Sequence, residues 1–218
     1  MVESTSRNAR KPRLGKRSEA NTSMKATPGS RQDVKAPARA VPVRAIFLVG
    51  FMGAGKTSVG RALGERLGWH FEDLDDRIRA REARSIPEIF EQSGEAGFRQ
   101  SELAALRELL AESAQGRPLI AALGGGAFVQ EEISSLLESE GRVTIFLDAP
   151  AEELWRRCAA DPVDRPLRRE EAEFRRLYES RRPRYLQAKM RVATCGRDIE
   201  KVAGEIASSL ELDLRNSG

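Results

Sequence analysis

The run Gly50-Phe51-Met52-Gly53-Ala54-Gly55-Lys56-Thr57 constrains this chain more than any other feature, because of what stands on either side of it. It fits the pattern GxxxxGK[ST]. Before it comes Ala45-Ile46-Phe47-Leu48-Val49, a short apolar run of the kind a parallel strand buried on both faces requires. After it, Val59, Leu63 and Leu67 recur at helical spacing. A strand, a glycine-rich turn and a helix in that order make a phosphate cradle. The glycines let the backbone wrap an anion, with several N–H groups pointing inward at the positive end of the helix. Lys56 adds a point charge that reaches β- and γ-phosphates, and the Thr57 hydroxyl is placed to ligate a bridging Mg²⁺. The cradle implies a nucleotide and an α/β architecture, and leaves the reaction open.

The remaining pattern agrees with that architecture. A short strand at His70–Glu72 precedes helical stretches at 75–83, 86–92 and 95–113. The apolar run Pro118–Leu123 reads as a third strand that stops at Gly124-Gly125-Gly126. A helix at 130–139 and a strand at Val143–Leu147 follow. Pro150 is expected as the first residue of a helix running to Cys158, a position that tolerates a missing N–H. Residues 159–170 are charged and carry prolines, as a loop does. A helix at 170–187, a strand at 190–194 and a helix at 198–211 complete the chain. Strands alternating with helices predict a parallel sheet covered on both sides.

Charge divides the chain. Residues 1–44 hold 11 Lys/Arg against 3 Asp/Glu, and the rest holds 26 against 30, so the net +4 belongs to the N-terminal segment. With hardly any large apolar residues, that basic tail is expected to be disordered. It is read as a solvated tail of no catalytic consequence; contact with nucleic acid or another acidic partner, an organelle (plastid) transit peptide and a true start at Met24 are the alternatives. Residues 45–214 are then the folded domain. No apolar run approaches the roughly 20 residues of a membrane span, and a cytoplasmic protein is expected. Cys158, Cys195 and the single histidine, His70, do not make a zinc set. Both cysteines are expected as reduced packing residues, and His70 as structural.

Candidates for an acceptor site follow the cradle. Asp73 and Asp75, spaced i, i+2 at the carboxyl end of the second strand, point toward the crevice where such sheets bind ligands. Helix capping by one of them is the plain alternative. Phe98-Arg99 presents a guanidinium fork beside an aromatic surface, suited to a carboxylate, with Glu102 one turn on to hold it. A surface i, i+3 ion pair would explain the same spacing. The three glycines 124–126 suggest close backbone approach to a ligand or to the cradle. Arg165-Pro166-Leu167 in the charged loop and Arg181-Arg182-Pro183 on the next helix supply further cations.

In order, GxxGxGKT, FxDxD, GFR, LGGG, RP and RxPxY resemble shikimate kinase, and the likeness covers about residues 43–211. The resemblance implies a P-loop fold of the nucleoside-monophosphate-kinase kind: a five-stranded parallel sheet of order 2-3-1-4-5 with a mobile lid, here about 159–170. It implies ATP-dependent phosphorylation of the 3-hydroxyl of shikimate, with Mg²⁺ as cofactor and shikimate and ATP as partners. Gly53, Ala54, Gly55, Lys56, Thr57, Ser58, Arg157 and Arg165 would bind nucleotide, with Arg157 near the adenine. Thr57 and Asp73 would hold the metal, Asp73 also approaching the substrate hydroxyls. Asp75 would hold the accepting hydroxyl and take its proton; Arg99 and Arg181 would clamp the shikimate carboxylate; Gly125 and Gly126 would meet substrate through their backbone. Lys56, Asp75 and Arg165 would be catalytic, Arg165 swinging onto the transferring phosphate. The lid motif departs from its usual form in carrying Arg168 after Leu167, and the interval from Arg165 to Arg181 is short, which bears on lid closure. A monomer is expected, with no membrane or nucleic-acid partner for the core.

Other kinds of protein fit less well. The guanine-reading NKxD pattern does not occur. A gluconate kinase would not call for two carboxylate-clamping arginines in the GFR and RxPxY contexts, and the cradle lacks the proline usual in adenylate kinase. A ligand sensor without turnover should have lost a catalytic residue, and Lys56, Thr57, Asp75 and Arg165 are all present.

Overall fold

The computed structural model describes residues 43–160 and 170–212. The tail up to residue 42, residues 161–169 with Arg165, and the last six residues lie outside the described residues. The expectations placed on the tail, on most of the lid and on Arg165 therefore lie outside them too.

Strand β1 (Ala45–Val49) is buried at all five positions. It has a parallel neighbour on each side, β3 (Leu119–Ala122) and β4 (Val143–Asp148), so that Ile46 stands beside both Ile120 and Val143. Outside these lie β2 (His70–Asp73) against β3 and β5 (Met190–Ala193) against β4, giving the order β2-β3-β1-β4-β5 throughout in parallel. This is the implied strand order. Its residue types follow position: the central β1 and β3 are continuously apolar, whereas the edge strands His70-Phe71-Glu72-Asp73 and Met190-Arg191-Val192-Ala193 carry polar side chains and are only partly covered.

Because every strand runs the same way, all five carboxyl ends share one rim. Gly50, Asp73, Leu123, Asp148 and Thr194 stand at or next to those ends. Among the described residues seven helices connect and cover the sheet: α1 (Lys56–Leu67), α2 (Leu74–Glu82), α3 (Ile86–Ala114), α4 (Glu131–Ser139), α5 (Ala151–Ala160), α6 (Glu171–Tyr185) and α7 (Ile199–Ser209). Helix α1 sits so close to β2 that a Cβ on Gly60 would lie 2.3 Å from the Phe71 ring. Ser85 and Glu88 close α3 with a capping box. Gly94, at φ 67° and ψ −176°, breaks α3 where the sequence expects two stretches, and Phe90 stacks on Phe98 across the break at 4.5 Å.

Two expectations need correction. Pro150 is not the first residue of α5. Its carbonyl accepts the Leu154 N–H at 3.0 Å while the helix begins at Ala151, so it stands at the N-cap. Cys195 is not a packing residue: it lies in the turn after β5 and is exposed, while Cys158 is buried. No described helix is long and apolar enough to cross a membrane.

Candidate active site

The nucleotide side is built mostly from backbone. At the end of β1 the chain turns through Gly53 (φ 76°) and Gly55 (φ 87°), left-handed conformations that side-chain-bearing residues rarely adopt. Gly53 is doubly required, since a Cβ there would meet the Leu154 carbonyl at 2.8 Å and Cys158 Sγ at 2.9 Å. Gly55 is the N-cap of α1 and makes no side-chain cap, leaving the first N–H groups of the helix to line a cavity of about 910 Å³. Gly53, Ala54, Lys56, Thr57 and Ser58 line the same space. Lys56 Nζ reaches back over the loop to the carbonyl oxygens of Gly50 (2.8 Å) and Phe51 (3.0 Å).

Arg157, on α5, closes this cavity toward β5. Its guanidinium donates to Thr194 O at 2.8 Å, to Gly53 O at 3.3 Å and to Glu153 Oε1 at 2.8 Å. It thereby ties the cradle to the turn where Arg197 and Asp198 also line the space. Arg156 in the first place, and Arg157 after it, hold the Glu153 carboxyl down to about 2 against the opposing effect of burial.

Thr57 and Asp73 mark the border between nucleotide and acceptor. The Thr57 hydroxyl donates to Asp73 Oδ2 at 2.8 Å. The other carboxylate oxygen, Oδ1, accepts the Asp75 N–H at 3.0 Å and caps α2. Capping and the acceptor role, weighed as alternatives from sequence, are thus compatible: the cap fixes the carboxylate that faces Thr57, and Asp75 follows in the first turn of α2.

The acceptor side is made of side chains from separate elements that meet at the glycines after β3. A Cβ on Gly124 would lie 2.8 Å from Asp75 Oδ1 and 3.0 Å from Glu102 Oε1; one on Gly126 would lie 2.9 Å from Arg99 Nη2. The absent side chains leave room for these charged groups. Gly125 lies against the cradle, its virtual Cβ 3.5 Å from Met52 N. Its carbonyl accepts from the Tyr185 hydroxyl and, at 3.5 Å, from Arg181 Nη1. The Arg181 guanidinium lies 5.8 Å from the centre of the Phe51 ring, and that of Arg99 5.2 Å from Phe98.

Arg99 Nη1 donates to Glu102 Oε2 at 2.8 Å and Nη2 to Glu95 at 3.2 Å. Glu102 is 1% exposed, which removes the surface-pair reading of that spacing. Burial pushes its carboxyl above the usual carboxylate range. Arg99 first and Gln130 second draw it back, and the charge of Asp75 adds to the rise.

The structure thus gathers Lys56, Thr57, Asp73, Asp75, Arg99, Gly125, Gly126 and Arg181 along one rim, with Arg157 at the far end of the cradle. Three residues of this neighbourhood went unread in the sequence. Tyr185, fully buried, holds the Gly125 carbonyl, and burial raises its hydroxyl. Gln130 holds Glu102 at 2.6 Å. Asp148, 6% exposed at the end of β4, accepts from Tyr178 (3.0 Å), Arg182 (3.0 Å) and Arg191 (2.8 Å), anchoring the helix that carries Arg181. Only Tyr185, as the last letter of RxPxY, had a pattern that pointed to it.

A family model described as shikimate kinase matches residues 52–211. The chain is 43% identical to the shikimate kinase of Synechococcus elongatus over 176 residues, 79% of this chain and 89% of that one. It is 39% identical to the shikimate kinase of Thermus thermophilus over 172 residues, 78% and 91% of the two chains. Among solved structures, shikimate kinase from Acinetobacter baumannii in complex with shikimate matches at a TM-score of 0.69 and 36% identity, covering 80% of this chain and 95% of that one. A gluconokinase from Sinorhizobium meliloti, 20% identical at a TM-score of 0.53 and covering 79% and 94% of the two chains, shares the fold.

Proposed function

The chain belongs to the shikimate kinase family, and from that premise we propose that it moves the γ-phosphoryl group of ATP to the 3-hydroxyl of shikimate, giving shikimate 3-phosphate and ADP for aromatic amino acid biosynthesis. The observation that carries the reading is the meeting of Asp75, Arg99 and Arg181 at the glycines 124–126, directly beside the Thr57–Asp73 pair and the cradle. A hydroxyl acceptor bearing a carboxylate is the kind of molecule such a set receives.

Each group then has a task. Arg99, forked and steadied by Glu102, and Arg181 pair with the substrate carboxylate and fix which hydroxyl faces the nucleotide. Asp75 accepts a hydrogen bond from that hydroxyl. As its oxygen forms a bond to the γ-phosphorus and the bond to the β-bridging oxygen breaks, the hydroxyl proton passes to the Asp75 carboxylate and ADP leaves. Lys56 exchanges the Gly50 and Phe51 carbonyls for phosphate oxygens. The N–H groups at the start of α1 bind the polyphosphate, and Gly125 and Gly126 lie against the substrate. Arg165 is assigned to the transferring phosphate by family likeness. Arg157 borders the space assigned to adenine.

The Thr57 hydroxyl and Asp73 carboxylate, in contact at 2.8 Å, form the small all-oxygen donor set that suits Mg²⁺, an ion that takes few protein ligands and fills its shell with water and phosphate. When bound, Mg²⁺ neutralises charge on the β- and γ-phosphate oxygens. A monomer is the form that goes with this reading. A cytoplasmic enzyme without membrane or nucleic-acid partners is the matching setting.

The test is ADP release by the purified protein with Mg-ATP, with shikimate, with gluconate and with neither. Release should depend on shikimate and yield one shikimate 3-phosphate per ADP. Equal release with gluconate, or none with shikimate, overturns the assignment.

A further inference from the structure

Gln130 stands at the N-cap of α4. Ser, Thr, Asp or Asn at such a position would bind the N–H groups of the first turn, a bond that stabilises a helix by about 1 kcal/mol. The Gln130 side chain makes no such bond. Its Nε2 instead donates inward, to Glu102 Oε2 at 2.6 Å and toward the Ala127 carbonyl at 3.5 Å. Chemistry fixes that orientation of the amide. Glu102 Oε2 already accepts from Arg99, and the Ala127 carbonyl can only accept, so the flipped amide would set its oxygen against two acceptors.

We propose that Gln130 is a positioning residue of the acceptor site: it holds the buried Glu102 carboxylate, and through it the Arg99 fork, in the geometry that receives the substrate carboxylate. The inference rests on the acceptor-site reading above and deepens it. An ionised carboxylate that is 1% exposed is costly unless its oxygens are occupied. Among the described residues, the charged groups that face it are Arg99 on α3 and Asp75 on α2, one of each sign. Asp75 repels it across the space left by Gly124. Gln130 is the neutral donor that offsets this repulsion. Without it, Glu102 would lean wholly on Arg99 and draw the guanidinium away from substrate, or take up a proton and release it. In both cases Arg99 loses its aim.

A structural cap and a positioning residue predict different results for two variants. Gln130→Ser supplies a better helix cap and no bridge to Glu102; Gln130→Leu keeps the length and lacks the donor. Both are assayed with shikimate and with ATP as the varied substrate, beside thermal melts. The expected result is a shikimate KM raised about threefold to tenfold in each variant, the size of one ordinary hydrogen bond because the effect reaches substrate only through Glu102 and Arg99, with the ATP KM within about twofold. The Gln130→Ser Tm should be unchanged or higher, so that stability and shikimate affinity part company. A shikimate KM within twofold of wild type in both variants overturns the inference, as does a parallel rise of both KM values with a fall in Tm, or failure of both to fold. Absence of shikimate-dependent ADP release in the wild type would instead remove the functional reading beneath it.

Discussion

The two halves of the active rim are made differently. On the nucleotide side most of the binding groups belong to one contiguous stretch, Gly50 to Ser58, with Arg157 added from α5. What matters there is backbone direction: left-handed glycines, an N-terminal turn of α1 and a carbonyl row that Lys56 bridges. On the acceptor side the groups come from α2, α3, α6 and the loop after β3, and meet only because β1, β2 and β3 end at one rim. The first is a local device whose shape is set by its glycines. The second is a convergence of charges in which Glu102 is nearly sealed from water. Acceptor-side substitutions should therefore disturb shikimate or the chemical step and leave ATP binding alone.

The largest expected effect is at Asp75. Phosphoryl transfer has a loose transition state in which the attacking oxygen has formed little bond, so base help falls in the lower part of its usual 10²–10⁴ range, with a positioning contribution added. Asp75→Asn keeps the shape and cannot take the proton. Its kcat should fall at least about 100-fold while ATP binding, measured by titration with a non-hydrolysable analogue, survives. Retention of more than a tenth of the wild-type kcat would reduce Asp75 to an orienting residue and pass the role to Asp73.

Next comes the fork. Arg99→Lys keeps the charge and loses two parallel donors, and the bond to Glu102 with them. Shikimate binding should weaken by about 1.5–3 kcal/mol, the range for hydrogen bonds to charged groups. The ATP KM should hardly move. Equal damage to both KM values would mean that the two halves are not separable in the way the geometry suggests.

These residues also show what a sequence makes legible. The cradle was readable because its chemistry is consecutive in the chain. The acceptor pairs Asp73/Asp75 and Arg99/Glu102 were readable as candidates because i, i+2 and i, i+3 spacings bring local partners together. Burial chose between their alternatives: exposure of 1% at Glu102 cannot be read from a helical stretch rich in Glu and Arg. Gln130 and Asp148 stayed hidden for a different reason. Each is a polar residue whose side-chain partners lie 28 or more positions away, and no spacing rule reaches that far. The strand order came from family likeness, since alternation of strands and helices predicts a parallel sheet without ordering it. Cys195 misled because a cysteine in a short polar turn carries no sign of its exposure.

A smaller effect should come from acid. The Glu102 carboxyl titrates above the usual carboxylate range, chiefly from burial, so the charge that steadies Arg99 is lost at a higher pH than for an exposed glutamate. Shikimate KM should climb on the acid side, by no more than about tenfold per pH unit. In Glu102→Gln it should be high throughout and lack that limb. Stability runs the other way. A raised folded-state pKa contributes stability below the unfolded value and loses it as pH rises through the folded one, so Glu102 itself does not unfold the protein on acidification. An acid limb identical in wild type and Glu102→Gln would assign the titration to another group.

The smallest effect is expected outside both halves. Residues 1–44 carry a balance of +8 and the rest of the chain −4, so the tail has charge with which to be attracted but hardly any large apolar side chains with which to dock. Attraction between exposed charges of this kind is screened beyond about 8 Å at physiological salt and fixes no geometry. Among the described residues, the groups that meet at the rim begin at Gly50, after a strand that begins at Ala45. Deleting residues 1–41 should therefore leave kcat and both KM values within about twofold, at low salt and at high, with soluble protein confirmed by gel filtration. A tenfold loss in a folded truncation would sink this view. If the loss fell on the ATP KM alone and faded with added salt, the tail would be a third, purely electrostatic contributor on the nucleotide side; if it fell on shikimate, the acceptor site as drawn here would lack one of its walls.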